Sequence, residues 1–367
     1  MSGVKILDAG DKLLFSGAQP DEVEAKLRYF VGRGSKIISP LSRVGSSWVA
    51  ACTPPSAPEA ADRTASLLLS DLDAAQRESA AKEQGPCRIE SLGFKHFSDG
   101  SLDWQDQLRP VTRSLKGVES GTRYSRWFDT NTFYQKPIIV GKISAGDIDP
   151  KNFLRAELLT EKRGRKVTLP GPYTFSQLSE NKHYKNYADL LFDIAIAELE
   201  IIRRLKNEGV TLFQLSEPCL VYQPYRESFR DHSEVEQALG AIRSLVREKP
   251  GDFLVQTYFG DAAPLLPDLL DLPVFGVGID LFETDVSSLS EQEKTSKALV
   301  LGVVDSRESF VENPNWIAAT ARKFSEKVDA RDLVFASNSD LKFVPQGIAN
   351  QKLEALSKAS ELFEESR

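Results

Sequence analysis

With 367 residues, 41% of them hydrophobic, and a formal net charge of −7, the chain can bury one large core and offers no electropositive face for nucleic acid. No apolar run reaches the roughly 18 residues of a membrane span, and the stretch from Met1 to Lys12 lacks a signal-peptide core. The three cysteines, Cys52, Cys87 and Cys219, have no metal-type spacing, so a reducing cytoplasm is the expected compartment.

In chain order, the first strand candidate is 13–17. A stretch rich in Ala, Glu and Asp follows at 56–84, with a helical period in its second half and a Gly85-Pro86 stop. It reads as a helical insertion near the amino end of a barrel. Strand-length apolar runs then recur at 89–94, 138–144, 166–170, 211–216, 253–258, 274–279, 298–304 and 333–337. Between them lie helical patterns at 186–208, 234–248, 314–328 and 346–364. In the first of these helices Leu190, Leu191, Ile194, Leu199, Ile201, Ile202 and Leu205 are expected inward. Its charges, Glu198, Glu200, Arg203, Arg204 and Lys206, are expected mostly outward, with Gly209 as the stop.

Continuously apolar strands alternating with amphipathic helices are the pattern of a parallel sheet covered by helices. The expected fold is α/β, a (β/α)8 TIM barrel with an N-terminal helical insertion. The whole chain, 1–367, is expected to be one domain, divergent over about 1–85 and recognisable as a barrel over about 86–367.

Six of the runs end abruptly in polar or small residues, at 170–174, 216–219, 257–261, 279–280, 303–307 and 337–342. In a barrel these endings share the ligand-binding rim. Glu217 precedes Pro218, which holds the preceding residue extended, so its carboxylate reads either as a functional rim acid or as a cap on a neighbouring loop. Asp280 ends a strand after Gly276 and Gly278, and Asp305 sits two residues from Arg307, a spacing that also suits local loop bracing. Gly171-Pro172-Tyr173-Thr174 supplies backbone donors and a hydroxyl. The cluster Lys162, Arg163, Arg165 and Lys166 reads as a solvated turn, with a phosphate cradle as the alternative. The histidines His96, His183 and His232 lack a His or Cys partner at ligand spacing, and Cys219 reads as a small buried filler. No metal site is expected.

Six segments in order, Trp127–Pro137, Leu169–Phe175, Gln214–Leu220, Thr257–Asp261, Leu301–Arg307 and Ser337–Pro345, resemble cobalamin-independent methionine synthase. That family is built from two related barrels, of which the carboxyl-terminal one holds zinc through a His-x-Cys pair, a Glu and a distant Cys. Zinc there activates the homocysteine thiol. On the matching positions this chain has Tyr258 and Gly260, Asp280, and Ser339 or its neighbour Asn338. The proposed proton-donor histidine falls on Arg307, and the family's Asp-Glu-Pro reads Ser216-Glu217-Pro218. The resemblance is therefore closer to the amino-terminal, zinc-free barrel, which helps to hold the folate tail.

It implies a methionine synthase-like protein, the zinc-free half of a split enzyme that acts with a separately encoded zinc-bearing catalytic barrel. No bound cofactor is expected, methyl-folate is a possible ligand, and neither nucleic acid nor membrane is a partner. Glu217, Asp280 and Asp305 are the catalytic candidates. Trp127, Asp129, Asn131, Thr174, Tyr258, Arg307, Ser339 and Lys342 are the substrate-binding candidates. Two alternatives stay open: a self-sufficient metal-free methyltransferase or lyase on the same rim, and a ligand-binding pseudoenzyme. The aromatic run Trp127, Phe128, Phe133 and Tyr134 reads either as filling the barrel mouth or as a partner surface.

Overall fold

The computed structural model describes residues 104–155, 164–222, 232–248, 251–289 and 293–365, isolated positions between 96 and 101, and the backbone of four strands before residue 53. The expected helix at 56–84, the strand at 89–94 and the Lys162–Arg163 end of the basic cluster lie outside the described residues.

Two compact units divide the chain. The first contains β1 (Val4–Leu7), β2 (Leu13–Gly17), β3 (Ile37–Val44) and β4 (Ser47–Cys52), ordered β2-β1-β4-β3. The pair β1–β4 is parallel and the other two pairs are antiparallel. The 13–17 strand thus belongs to this sheet and takes no place beside the later strands.

The second unit is built on six parallel strands: β7 (Lys166–Pro170), β9 (Leu212–Ser216), β10 (Asp252–Gln256), β11 (Gly276–Asp280), β12 (Glu293–Val304) and β13 (Val328–Ser337). Each lies beside its successor in the chain, and the order never reverses. That is the winding of a barrel; a doubly wound sheet has a switch point. Register places Leu212, Leu254 and Val300 on one face, where they pack together with Phe275 and Ala336. The alternate residues, such as Phe213 and Phe253 with ring centroids 5.8 Å apart, occupy the other face. Every residue of β9 and β11 is buried, which explains the unbroken apolar runs.

The run at 138–144 lies in a different setting from the one expected. It is part of β6 (Phe133–Ala145), which pairs antiparallel with β5 (Leu115–Arg126) and, briefly, with β8 (Glu180–Asn181). Strand β5 has no apolar run because it is exposed along most of its length, and it escaped the sequence pattern for that reason. Its Gly117 has φ +78° beside a register shift, and a Cβ there would meet Lys142 O at 2.4 Å, so the bulge requires glycine. Among the described residues the parallel sheet holds six strands, and a ring of eight is not completed.

Helices α1 (Arg109–Ser114), α2 (Pro172–Gln177), α3 (Tyr187–Asn207), α4 (His232–Val246), α5 (Leu266–Asp271), α6 (Pro314–Ser325) and α7 (Gln346–Glu364) complete the unit. Helix α3 starts where the Asn186 side chain accepts from Ala188 N at 2.9 Å. It ends at Gly209, whose φ of +83° lets its N–H and that of Val210 reach back to the last turn. One expectation for α3 fails. Glu198 faces inward and is fully buried, because it lies one helical turn from both Ile194 and Ile202 on the apolar stripe.

Candidate functional site

The parallel strands put the ends of β9, β11, β12 and β13 on one rim, so Glu217, Asp280, Asp305 and Asn338 share it. Their surroundings differ. Glu217 is fully buried, and its carboxylate accepts from Tyr173 N at 3.0 Å and Thr174 N at 2.7 Å, the first free donors of α2. Pro172 at the first helical position has no N–H, which makes these two the orphans a carboxylate can satisfy. A Cβ on Gly171 would sit 2.2 Å from Glu217 Oε1, so the loop closes on the acid only with glycine. Burial pushes the Glu217 carboxyl up to about 7, against the pull of the Thr174 and Tyr173 donors. Thr174 is itself buried, and its hydroxyl accepts from Cys219 N at 3.3 Å.

Asp280 belongs to a different arrangement. Its Oδ1 accepts from Phe282 N at 3.0 Å, and its Oδ2 accepts from Phe259 N and from Asn338 Nδ2, each also at 3.0 Å. Burial raises its carboxyl to about 6; the two backbone donors lower it, Asp305 raises it and Arg307 lowers it. The same Asn338 nitrogen donates to Asp305 Oδ1 at 3.1 Å, while Asn338 Oδ1 accepts from Ser306 N at 2.9 Å. Asp305 also accepts from Arg307 Nε at 3.2 Å, and Arg307 reaches Glu283 Oε1 at 2.7 Å and lies 4.6 Å over the Phe259 ring. From beneath, Glu312 accepts from Asp305 N at 2.9 Å and pairs with the fully buried Lys352 at 2.9 Å. Asn338 is the hub of this network, together with Glu312 and Lys352, which had no visible sequence signal.

The aromatic segment sits over the rim. Trp127, Phe128 and Tyr134 are buried, and Phe128 meets Tyr222, Tyr258 and Phe259 edge-on at 5.0–6.2 Å. Phe133 alone of the four is exposed. Burial supports the reading in which these three rings pack over the strand ends, and Trp127, 2% exposed, presents almost no surface in this conformation. Its indole Nε1 has no partner among the described residues. Asp129 and Asn131 lie exposed in the same turn. Tyr258 is buried, with Ser216 and Ser339 beside its phenol, and Lys342 stands at the surface 4.0 Å from Asp340. Phe128 and Phe259 both take positive φ, 48° and 64°, so the rim backbone is strained where its rings converge.

This donor set does not fit zinc. The positions that the resemblance matches to the His-x-Cys pair carry Tyr258 and Gly260, the one it matches to the distant Cys is Ser339 or Asn338, and Asp280 already accepts three N–H groups.

A family model described as the N-terminal domain of cobalamin-independent synthase matches residues 95–329. The chain belongs to that family. A methionine synthase from Sulfolobus acidocaldarius is 25% identical over 267 residues, covering 72% of this chain and 75% of that one. A 5-methyltetrahydropteroyltriglutamate–homocysteine methyltransferase from Streptococcus gordonii is 28% identical over 309 residues, 76% of this chain but only 39% of that protein. The chain therefore spans well under half of the streptococcal relative. Among solved structures, a B12-independent methionine synthase from Shewanella sp. W3-18-1 in complex with selenomethionine superposes with a TM-score of 0.64 at 18% identity, over 79% of this chain and 88% of that one. At that identity the likeness concerns the fold. Among the described residues, no helix is long and apolar enough to cross a membrane.

Proposed function

We propose that this cobalamin-independent synthase-type chain serves methyl transfer to homocysteine as a zinc-free half, with a separately encoded zinc-bearing barrel supplying the thiolate. The observation that carries the reading is the rim of β11–β13. Where a zinc barrel needs soft ligands and open coordination positions, this chain has an asparagine hub whose carboxylates are saturated by N–H donors. Without a metal, a thiol of pKa about 8.5 is only a few per cent thiolate at neutral pH. The reading includes a closed (β/α)8 ring with an N-terminal helical insertion, a methyl-folate ligand at the rim, and a cytoplasmic location. Glu217, Asp280 and Asp305 hold the rim in shape, and Thr174, Tyr258 and Arg307 line it.

One observation favours a second reading. The Sulfolobus acidocaldarius relative is covered over 75% of its length, so a chain of comparable size carries the name methionine synthase. A stand-alone, metal-free methyltransferase or lyase is therefore the competitor. Homocysteine methylation assayed with the purified chain alone, and again after mixing with a zinc-bearing barrel from the same source, separates the two. Turnover only in the mixture supports the split enzyme; turnover by the isolated chain ends it.

A further inference from the structure

The turn that joins β5 to β6 reaches the rim through one ring. Phe128 meets Tyr222 at 5.0 Å and both Tyr258 and Phe259 at 6.2 Å, all edge-on, and Trp127 packs behind it against Phe128 and Tyr134. The turn is closed on itself. Trp127 N donates to Thr132 O at 2.9 Å, and Thr130 gives Trp127 O its N–H at 3.1 Å and its hydroxyl at 2.7 Å. The outer side, Asp129 and Asn131, is exposed and polar. Two stresses lie at this contact. Phe128 and Phe259 both hold positive φ, which crowds a Cβ, and the buried Trp127 indole N–H has no acceptor among the described residues. The hairpin is also divided into two blocks. Val118–Ser120 pair with Ile139–Pro137 and Tyr124–Arg126 with Gln135–Phe133, and between them Gly121, Thr122 and Arg123 oppose Lys136 alone. A Cβ on Gly121 would meet Lys136 O at 2.4 Å, so this irregularity requires glycine. Gln135 marks the pivot: its N–H donates to Asp106 Oδ2 at 3.1 Å, and its side chain bonds Gly121 O and Arg109. Below the pivot the base is fixed, with Lys182 N donating to Ile139 O at 2.9 Å and Gly146 N to Ser114 O at 2.8 Å.

We propose that Trp127–Thr132 is a self-inserted plug. In this conformation Phe128 occupies the seat of a planar aromatic ring on Tyr222, Tyr258 and Phe259, and the tip swings out about the Gly121–Gln135 pivot to admit a ligand ring there. The seat is that of the rim ligand proposed above, a reading on which this inference rests, and Phe128 regulates access to it. Opening gives up the ring contacts. In return the Phe128 backbone leaves its crowded region and water reaches the Trp127 indole, while the turn keeps its internal hydrogen bonds. An incoming planar ring meets the same three aromatic partners, with the Arg307 guanidinium 4.6 Å over Phe259 beside them, so the exchange is ring for ring. A plug that is mostly closed weakens the apparent affinity in proportion to the small open fraction.

Native-state hydrogen exchange of the full chain tests the plug without any ligand. The Trp127 and Thr130 amides should exchange together, about tenfold or more faster than those of Lys182 and Gly146 at the fixed base, with the step falling at Gly121–Arg123. Equal protection on both sides of the irregularity would overturn the proposal. The second arm uses 5-methyltetrahydrofolate as the probe, with binding measured by calorimetry on wild type, Phe128→Ala and Phe128→Gly. Both variants should bind it about tenfold more tightly than wild type, and the probe should speed exchange of the wild-type Trp127 and Thr130 amides. Unchanged or weaker binding by the variants, or turn amides slowed by the probe, would overturn the proposal, because Phe128 would then be a fixed wall of the site. The expected exchange step with no binding by any of the three proteins supports the plug and ends the folate reading. If neither variant folds, the wild-type exchange step and its response to the probe decide.

Discussion

Two buried acids on one rim, Glu217 at the end of β9 and Asp280 at the end of β11, are held by different means. Glu217 relies on two backbone N–H groups of α2, with no cation acting on it among the described residues, and its carboxyl rises to about 7. Asp280 shares an asparagine amide with Asp305, which Arg307 partly neutralises, and its carboxyl rises only to about 6. A helix terminus supports one acid locally. The amide hub ties three strand ends together, so the second arrangement carries more of the rim and is the more exposed to a single substitution.

Replacing the hub is the hardest blow to that comparison. Asn338→Ala leaves the Ser306 N–H without its acceptor and brings Asp280 and Asp305 together with no shared donor. The expected loss is about 3–5 kcal/mol, measured by urea unfolding at pH 7, or failure to fold. A loss under about 1 kcal/mol would show that the hub is incidental.

The proton content of Asp280 gives the next effect. Its carboxyl is near 6 folded against 3.8 unfolded, so the stability it confers is full below pH 3.8 and is lost as pH rises through 6. The change attributable to Asp280 is about 3 kcal/mol at most, at about 1.4 kcal/mol for each unit of pKa shift. Glu217 acts in the same direction at higher pH, so the two separate by subtraction. Unfolding curves for Asp280→Asn and Glu217→Gln should flatten the profile over pH 4–6 and over pH 5–7 respectively. Identical profiles would remove the distinction between the two acids.

On the Glu217 side, Gly171→Ala drives a methyl group against Glu217 Oε1 and should cost about 1–3 kcal/mol, read as a lower urea midpoint. A neutral outcome would mean that the α2 loop yields where Asp280's surroundings do not. The mildest change is Arg307→Lys. It removes the planar stacking on Phe259 and one of the contacts to Asp305 and Glu283, an effect of about 1 kcal/mol that should shrink in high salt.

Much of this architecture was legible in the sequence. Strand β7 was found at its exact bounds, and the expected runs at 211–216 and 274–279 lie within two residues of β9 and β11. Helix α7 was likewise placed at 346–364. Strands buried on both faces and helices with one apolar stripe write their periods directly into the chain. Glu217, Asp280 and Asp305 were legible as rim residues because a parallel sheet delivers every strand end to one side. The antiparallel β5–β6 hairpin was missed because its exposed, polar residues carry no apolar period.

Only the tertiary structure decided what those rim acids do. Whether Glu217 caps α2, whether Asn338 joins Asp280 to Asp305, and that Lys352 holds the Glu312 that supports Asp305 all depend on contacts between residues more than 30 positions apart in the chain. Glu198 makes the same point within one helix. Its spacing from Ile194 and Ile202 already set it on the buried stripe, but charge suggested the solvent face. Helical geometry fixes where a side chain points; its protonation state is set by the neighbours that folding brings to it.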